Sequence, residues 1–243
     1  MFISNSRKFI YFHIPKSAGT SISELLARGM AWNDICIGGC QIGEFYQKYW
    51  TPIFKLDKHS HPLWVKSLVG DEVFTSYFKF AFLRDPLDRF RSAAHFIVQS
   101  VREERAWALE ASMIQTYKDE IMSFQSLADV LQSDFYADCK QVPQWQAGDI
   151  VKLFQPQANY FHNRFGRRID GMTCFSLNHL ASSLETLKGM DLITQEEVDQ
   201  SQILNHKRNV SAKLLVDDFQ EDHVDQLKSD FERDYQLLAD RSG

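Results

Sequence analysis

Residues 13–21, HIPKSAGTS, combine one lysine, three hydroxyl groups and one glycine within nine positions. Gly19 allows the backbone to curl closely around an anion, and the hydroxyl groups can donate hydrogen bonds to it. Lys16 adds a compact, mobile positive charge suited to a bridging or terminal oxygen. This combination predicts a binding loop for a phosphate or a phosphosulfate.

The elements around this loop are predicted to aim its donors at one point. Residues 9–14 form a short apolar run typical of a buried strand in a parallel sheet, and Pro15 would end it. Ile22, Leu25 and Leu26 then fall on one face of a helix, with serine and threonine available to cap its start. A loop between a buried strand and a helix directs backbone N–H groups and the positive helix end into one concavity.

The position of the lysine separates this loop from the pattern that binds nucleoside triphosphates. That pattern, G-x-x-x-x-G-K-[ST], places the lysine late, beside a hydroxyl that binds Mg²⁺. Here Lys16 comes early, directly after Pro15, and the first glycine is missing. For this loop alone, a serine- and glycine-rich turn with an incidental lysine stays open as an alternative.

A second run offers a further pair of anion-binding side chains. Residues 78–83, FKFAFL, predict another buried strand, and Arg84 directly follows it. The planar guanidinium suits phosphate oxygens, and Pro86 favours entry into a helix. Ser92 stands eight residues after Arg84, two turns along that helix. The alternative is that Arg84 only joins ion pairs among the charged residues at the helix start.

Together the two runs resemble the donor-binding motifs of the sulfotransferases that use 3′-phosphoadenosine 5′-phosphosulfate (PAPS). In that family the loop reads P-K-[ST]-x-[GS]-[ST]-[ST], and a strand-end arginine with a serine eight residues later holds the 3′-phosphate of the donor. Within the family, the chain resembles the carbohydrate-type branch related to heparan sulfate 2-O-sulfotransferase and its bacterial relatives. Residues 13–21, 78–82, 154–157 and Tyr160 carry that likeness, which spans nearly the whole chain.

The resemblance implies an α/β fold in a single sulfotransferase domain, residues 1–243, with a P-loop-like parallel sheet flanked by helices. It also implies PAPS as the donor and adenosine 3′,5′-bisphosphate as the product. A segment at residues 205–211 lies where the branch has an Asn-x-Ser loop near the donor. The donor-binding residues implied in this way are Pro15, Lys16, Ser17, Ala18, Gly19, Thr20, Ser21, Arg84, Ser92, Asn209 and Ser211.

Sulfuryl transfer is an in-line displacement, so it needs a cation at the leaving oxygen and a base at the acceptor hydroxyl. The sulfuryl group carries less charge than a phosphoryl group, and we expect no metal. Lys16 is the natural cation. The resembling branch has a histidine ahead of a short helix that precedes the strand-end arginine, and His59 occupies that place, with His61 as the second candidate. Because Pro62 predicts that His61 already turns into the helix, we favour His59, with a carboxylate base in reserve.

The remaining histidines have simpler interpretations. We expect His13 to pack beneath the loop, and we leave His206, beside the supposed donor segment, unassigned. Satisfied or solvated side chains are expected for the other four, which are His95, His162, His179 and His223.

Composition limits the partners. The net charge of −5 gives no attraction for nucleic acid, and it favours a small or modestly charged acceptor, a carbohydrate or metabolite hydroxyl, over a long polysulfated glycan. Because no apolar run approaches the length of about 18 residues that a membrane span needs, we expect a cytoplasmic protein. The four cysteines have no zinc-site spacing, so reduced, partly buried thiols are expected.

The rest of the chain gives coarser predictions. We expect irregular structure at residues 29–57, a short helix at 59–70, helices from 87 to about 131, a loop at 133–155, a strand at 169–175 and one terminal amphipathic helix over 224–238. The aromatic residues within 29–57 could line an acceptor cleft, but packing of that segment against the core is favoured. Two rival functions stay open, namely a small-molecule kinase of the P-loop type and a donor-binding protein without catalysis.

Overall fold

The computed structural model describes residues 1–143, 146–204 and 213–240. Within it the chain divides into two compact units. The first comprises Met1–Arg84 and Tyr160–Asn209, and the second comprises Asp85–Asn159 and Val210–Gly243. Each unit has a hydrophobic core of its own. The expectation of one domain along the whole chain stays a prediction.

The elements of the described residues are these. The strands are β1 (Phe2–Ser4), β2 (Phe9–Phe12), β3 (Ile35–Cys36), β4 (Phe78–Leu83) and β5 (Met172–Ser176). The helices are α1 (Gly19–Arg28), α2 (Gln41–Phe54), α3 (Pro62–Ser76), α4 (Pro86–Arg102), α5 (Ala106–Leu109), α6 (Ser112–Ser123), α7 (Leu127–Gln132), α8 (Asp134–Gln141), α9 (Asp149–Lys152), α10 (Leu180–Gly189), α11 (Gln195–Ser201), α12 (Glu221–Asp230) and α13 (Glu232–Ala239). Short 3-10 segments cover Gln157–Phe161 and Leu177–His179.

The five strands form one sheet in the first unit, in the order β3-β1-β2-β4-β5. Strands β2, β4 and β5 run parallel, with Phe12 opposite Ala81 and Leu83 opposite Ser176. Strand β1 pairs antiparallel with both β2 and β3, so the sheet is mixed rather than parallel throughout. The predicted α/β fold is confirmed, with its parallel part limited to three of the strands.

The parallel pairing of β2 and β4 determines where the two sequence runs meet. Because parallel neighbours end at the same edge of a sheet, the segments that follow them leave that edge side by side. The segment after β2 is the predicted anion loop, and the residue after β4 is Arg84. Ligands of α/β sheets commonly bind at such carboxyl ends.

Helix α1 is fixed against this sheet by the apolar face that the sequence predicts. Ile22, Leu25 and Leu26 are fully buried in the core of the first unit. Burial of each such side chain contributes about 1.5–3 kcal/mol. The start of α1, directly after the loop, is therefore held in place by packing along its length.

Helix α2 replaces much of the irregular structure predicted for residues 29–57. Its aromatic side chains recur at helical spacing, but they lie outward: Phe45 is 52% exposed and Tyr49 is 53% exposed. The predicted packing of these aromatics against the core is therefore wrong. Gly43, within the helix, is buried where a side chain would meet the carbonyl oxygen of Gly38. Glycine and Pro52 obscure the helix in the sequence because neither residue favours a helix interior.

Other boundaries also differ from the predictions, among them the strand expected at 169–175, which is Met172–Ser176. The short helix expected at 59–70 begins at Pro62 and reaches Ser76, with a left-handed Gly70 inside it. The loop expected at 133–155 contains α8, since Ser133 caps that helix by accepting the N–H of Tyr136. The single terminal helix is two helices, because Phe231 takes a non-helical conformation between α12 and α13.

Candidate active site

The loop after β2 has an unusual backbone. Lys16 (φ 62°) and Ala18 (φ 54°) both lie in the left-handed region, whereas Ser17 between them does not. Left-handed residues other than glycine are uncommon and cluster at functional sites. Alternation of this kind is typical of backbone nests that bind anions, and residues 16–18 are called the nest below. Within it, the N–H of Ser17 donates to the carbonyl oxygen of Ile14 at 3.4 Å, so the N–H groups on either side of Ser17 are the ones considered for an anion.

Helix α1 begins directly after this nest. Its N-cap is Ala18, and not the serine or threonine expected from the sequence. The methyl group of Ala18 has no oxygen with which to accept an N–H of the first turn. The N–H groups at the start of a helix are also its positive end. The arrangement thus suits an anionic ligand at this point.

His13 supports the loop from beneath. Its side chain is buried, and a Cβ placed on Gly19 would lie only 1.8 Å from the imidazole atoms Cδ2 and Nε2. Gly19 is therefore required by close approach of the ring to the backbone. Burial, reinforced by the nearby His59, holds the pKa of His13 well below its ordinary value, so this imidazole is neutral near pH 7.

Arg84 reaches the loop from the neighbouring strand. Its Nη1 atom lies 3.5 Å from the carbonyl oxygen of Lys16, and both side chains are half-buried. The two runs that the sequence places far apart thus meet at one edge of the sheet. This contact brings a guanidinium beside a backbone nest, which is a suitable arrangement for a ligand with more than one anionic group.

Ser92 lies half-buried on α4 in the second unit. At the start of that helix, Asp85 accepts the N–H of Asp88, and Asp88 lies 3.6 Å from Arg91. Arg89 is buried and donates to the carbonyl oxygen of Lys152. Asp88 thus forms an ion pair with Arg91 at the start of the helix. The joint action of Arg84 and Ser92 on one phosphate stays a prediction.

His59 is held by its ring and by its backbone. The Nδ1 atom lies 2.8 Å from the carbonyl oxygen of His13. A carbonyl only accepts, so Nδ1 carries the proton and donates, and the neutral ring has its lone pair on Nε2. The carbonyl oxygen of His59 accepts the hydroxyl of Tyr160 at 2.9 Å, and its N–H donates to Asp57 Oδ1 at 2.7 Å.

His61 has a structural position. Its Nδ1 atom accepts the N–H of Leu63 at 3.3 Å, which caps α3, and its Nε2 atom donates to the carbonyl oxygen of His162 at 3.1 Å. Both ring nitrogens are thus engaged with backbone groups. A proton from an acceptor would have to displace one of these bonds. The choice of His59 rather than His61 as the base stays a prediction.

Tyr160 contacts the backbone of His59, a contact that the sequence did not predict. The resemblance includes this residue without giving it a role, and the structure places its buried hydroxyl on the backbone of His59. Aromatic residues with a polar tip are common in cores, so sequence position alone could not show this contact. Asp57, two residues before His59, was likewise not singled out.

Several other predicted residues have a clear place. His95 accepts the N–H groups of Leu214 and Leu215, and His223 accepts the N–H of Gln220, as expected of satisfied side chains. Asn209, Ser211 and His206 lie outside the described residues.

Within the described parts of the chain, no group of three or more His, Cys, Asp or Glu side chains is placed to hold a metal ion. The same residues include no helix that is long and apolar enough to cross a membrane.

Comparison with protein families identifies one match. A family model described as "Sulfotransferase family" matches residues 1–239. The matched range contains the nest, Arg84 and His59. Comparison with curated proteins and with solved structures gives no match.

Proposed function

The chain belongs to the sulfotransferase family, and on that premise we propose that it transfers the sulfuryl group of PAPS to an acceptor hydroxyl. Sulfotransferases use PAPS as their donor in general. The contact between Arg84 and the carbonyl oxygen of Lys16 carries the proposal, because it joins the two predicted donor motifs in one place. The proposed acceptor is a carbohydrate or a small metabolite.

The donor side of the site is proposed to work through three groups. The N–H groups of the nest and of the start of α1 bind the 5′-phosphosulfate, and Lys16 neutralises charge that develops on the leaving oxygen. Arg84 binds the 3′-phosphate, with Ser92 as its partner. Pro15, Ser17, Thr20 and Ser21 shape or line the nest. Asn209 and Ser211 keep their predicted role as a further donor contact.

His59 is proposed as the general base. Its Nε2 atom takes the acceptor proton, since Nδ1 already donates to the carbonyl oxygen of His13. That carbonyl also stabilises the imidazolium that forms, because the charged ring strengthens the same hydrogen bond. The His13 ring lies 4.7 Å from His59 and stays neutral, so it adds no positive charge that would oppose proton uptake.

The acceptor hydroxyl is best identified with sulfate-labelled PAPS. Transfer would be measured onto a panel of sugar, lipid and metabolite hydroxyls. We expect transfer to at least one carbohydrate or small metabolite. Donor binding without transfer to any member of the panel would instead indicate a catalytically silent donor-binding protein.

The base is tested with the matched variants His59→Gln and His61→Gln. The first should lower transfer by at least about 100-fold and leave the affinity for adenosine 3′,5′-bisphosphate unchanged. The second should retain most of the transfer and lose about 1 kcal/mol of stability, because it removes the cap of α3. Full transfer by His59→Gln would show that the base is wrongly assigned, and His61 would then take its place.

A further inference from the structure

Cys36 and Cys40 form a thiol pair that the proposed function does not use. Their Sγ atoms lie 3.3 Å apart. Cys36 ends β3, Cys40 is the N-cap of α2, and both side chains are buried. Between them, Gly38 (φ 63°) and Gly39 (φ 77°) are left-handed, which glycine adopts without strain. The tight turn therefore brings together two thiols only four residues apart.

The two thiols differ in their tendency to ionise. The pKa of Cys40 is lowered chiefly by its hydrogen bond with Cys36, with further help from the N–H groups of Gly43 and Ile42 at the start of α2. The pKa of Cys36 is raised by the same hydrogen bond and by burial. A thiolate on one partner and a thiol on the other is the arrangement found in reactive dithiols.

We propose that Cys36 and Cys40 are a redox modification site, at which a peroxide converts the two thiols to a reversible intramolecular disulfide. The Cys40 thiol loses its proton and its sulfur attacks a peroxide oxygen, and the O–O bond breaks; the hydroxide that leaves takes up the Cys40 proton, so a sulfenic acid and one water result. The Cys36 sulfur then attacks the Cys40 sulfur, the S–O bond breaks, and hydroxide leaves with the Cys36 proton as the second water. Two electrons pass from the sulfur atoms to the peroxide oxygens.

The geometry requires a small rearrangement. A disulfide bond is about 2.05 Å long, so the two sulfur atoms must approach each other by roughly 1.2 Å. The left-handed glycines of the turn can absorb this change, because their backbone is the least restricted of any residue. A thiol in exchange with the disulfide would reverse the reaction.

The turn also contacts the proposed active site. A Cβ built on Gly39 would lie 3.0 Å from His13 Nδ1 and 2.5 Å from Ser23 Oγ, so the backbone packs closely against His13. His13 in turn holds His59 through its carbonyl oxygen. We expect that tightening of the turn displaces His59 and lowers transfer by about tenfold or more, and this consequence rests on the proposed function. Misplacement of a catalytic group by about 1 Å can lower the rate by about 100-fold.

The modification is tested on the full chain with hydrogen peroxide, followed by unfolding, alkylation and peptide mass mapping. We expect two alkylated cysteines instead of four, with Cys36 and Cys40 in one peptide that carries an internal disulfide and can be alkylated at both positions only after reduction with dithiothreitol. Cys139 is the internal control, because burial raises its pKa to about 12 and it should still alkylate after unfolding. Alkylation of Cys36 and Cys40 after peroxide treatment, or oxidation of Cys139 at the same rate, would overturn the proposal.

Two variants separate the disulfide from its effect on transfer. Cys36→Ser should prevent formation of the internal disulfide, whereas Cys139→Ser should not. If Cys36→Ser fails to fold, Cys40→Ser is used in its place. Peroxide should lower transfer in the Cys139 variant and leave it unchanged in the Cys36 variant. Because mass mapping does not depend on transfer, failure of the proposed function leaves the disulfide test intact. Formation of the disulfide between Cys36 and Cys40 without any loss of transfer would overturn the proposed coupling to His59.

Discussion

The Nδ1 atom of His59 lies 2.8 Å from the carbonyl oxygen of His13. The same His13 places its ring beneath Gly19 at the end of the nest. One residue therefore fixes the tautomer of the proposed base and supports the backbone of the proposed donor loop. The main chain of His13 thus holds the proposed base, and its side chain supports the proposed donor loop.

Replacement of Gly19 by alanine tests the support beneath the loop. The new Cβ would overlap the His13 ring, which is enclosed by the core, so we expect a loss of about 1–3 kcal/mol in stability and weaker binding of adenosine 3′,5′-bisphosphate. Urea unfolding and calorimetry measure the two effects. Gly189→Ala is the matched control, since a Cβ there meets no atom within 4 Å. Equal behaviour of the two variants would contradict the close approach.

The buried His13 predicts a dependence of stability on pH. Its pKa is ordinary in the unfolded chain, at 6.5, and well below that in the fold, chiefly because of burial. The unfolded state therefore binds the extra proton, so the stability contribution is complete above about pH 6.5 and is lost as the pH falls toward the folded pKa. The slope of the unfolding free energy should be up to about 1.4 kcal/mol per pH unit for this group.

Urea unfolding between neutral and mildly acidic pH measures this slope. His13→Asn should reduce it, because asparagine does not titrate, while the carbonyl that holds His59 is retained. An unchanged slope in the variant would show that another group carries the pH dependence.

Arg84 is expected to recognise the 3′-phosphate. Arg84→Lys should raise the Kd for adenosine 3′,5′-bisphosphate by roughly 10- to 100-fold, because an ammonium cannot reproduce the planar fork of a guanidinium. The Kd for adenosine 5′-monophosphate, which lacks the 3′-phosphate, should change much less. Arg167→Lys, in an exposed turn, is the control. Equal losses for the two nucleotides would contradict the assigned role.

Tyr160 is expected to act as a positioning residue. Tyr160→Phe removes the hydroxyl that donates to the carbonyl oxygen of His59, so kcat should fall by about tenfold while KM for PAPS and the affinity for adenosine 3′,5′-bisphosphate stay unchanged. Steady-state kinetics separate these parameters. A parallel loss of donor affinity would point to a structural role only.

The sequence predicts the strands that lead to the candidate site better than the helices around it. The apolar runs at β2 and β4 identify buried parallel strands, and that pairing alone places the nest beside Arg84. Helix α2 was missed because Gly43 and Pro52 interrupt its helical pattern. The hydrogen bond from Tyr160 to His59 joins residues 101 positions apart, so only the folded chain shows it.

The choice between His59 and His61 shows the same limit. In the sequence only Pro62 distinguishes His59 from His61, because it predicts that His61 enters a helix. The structure shows that His61 caps α3 through Nδ1 and donates through Nε2, and the choice of the base stays a prediction. The carbonyl partner of His59 could not be predicted, since it belongs to His13, which follows β2 and lies 46 positions away in the sequence.

Calorimetry tests the central claim most directly, with adenosine 3′,5′-bisphosphate and adenosine 5′-monophosphate measured without magnesium and ATP measured in the presence of Mg²⁺. A binding site for the sulfate donor should prefer the bisphosphate over the monophosphate by at least about tenfold, the effect of one charge-assisted contact. It should also require no metal for that binding. Tight binding of ATP with Mg²⁺, together with indifference to the 3′-phosphate, would contradict the proposed sulfuryl transfer.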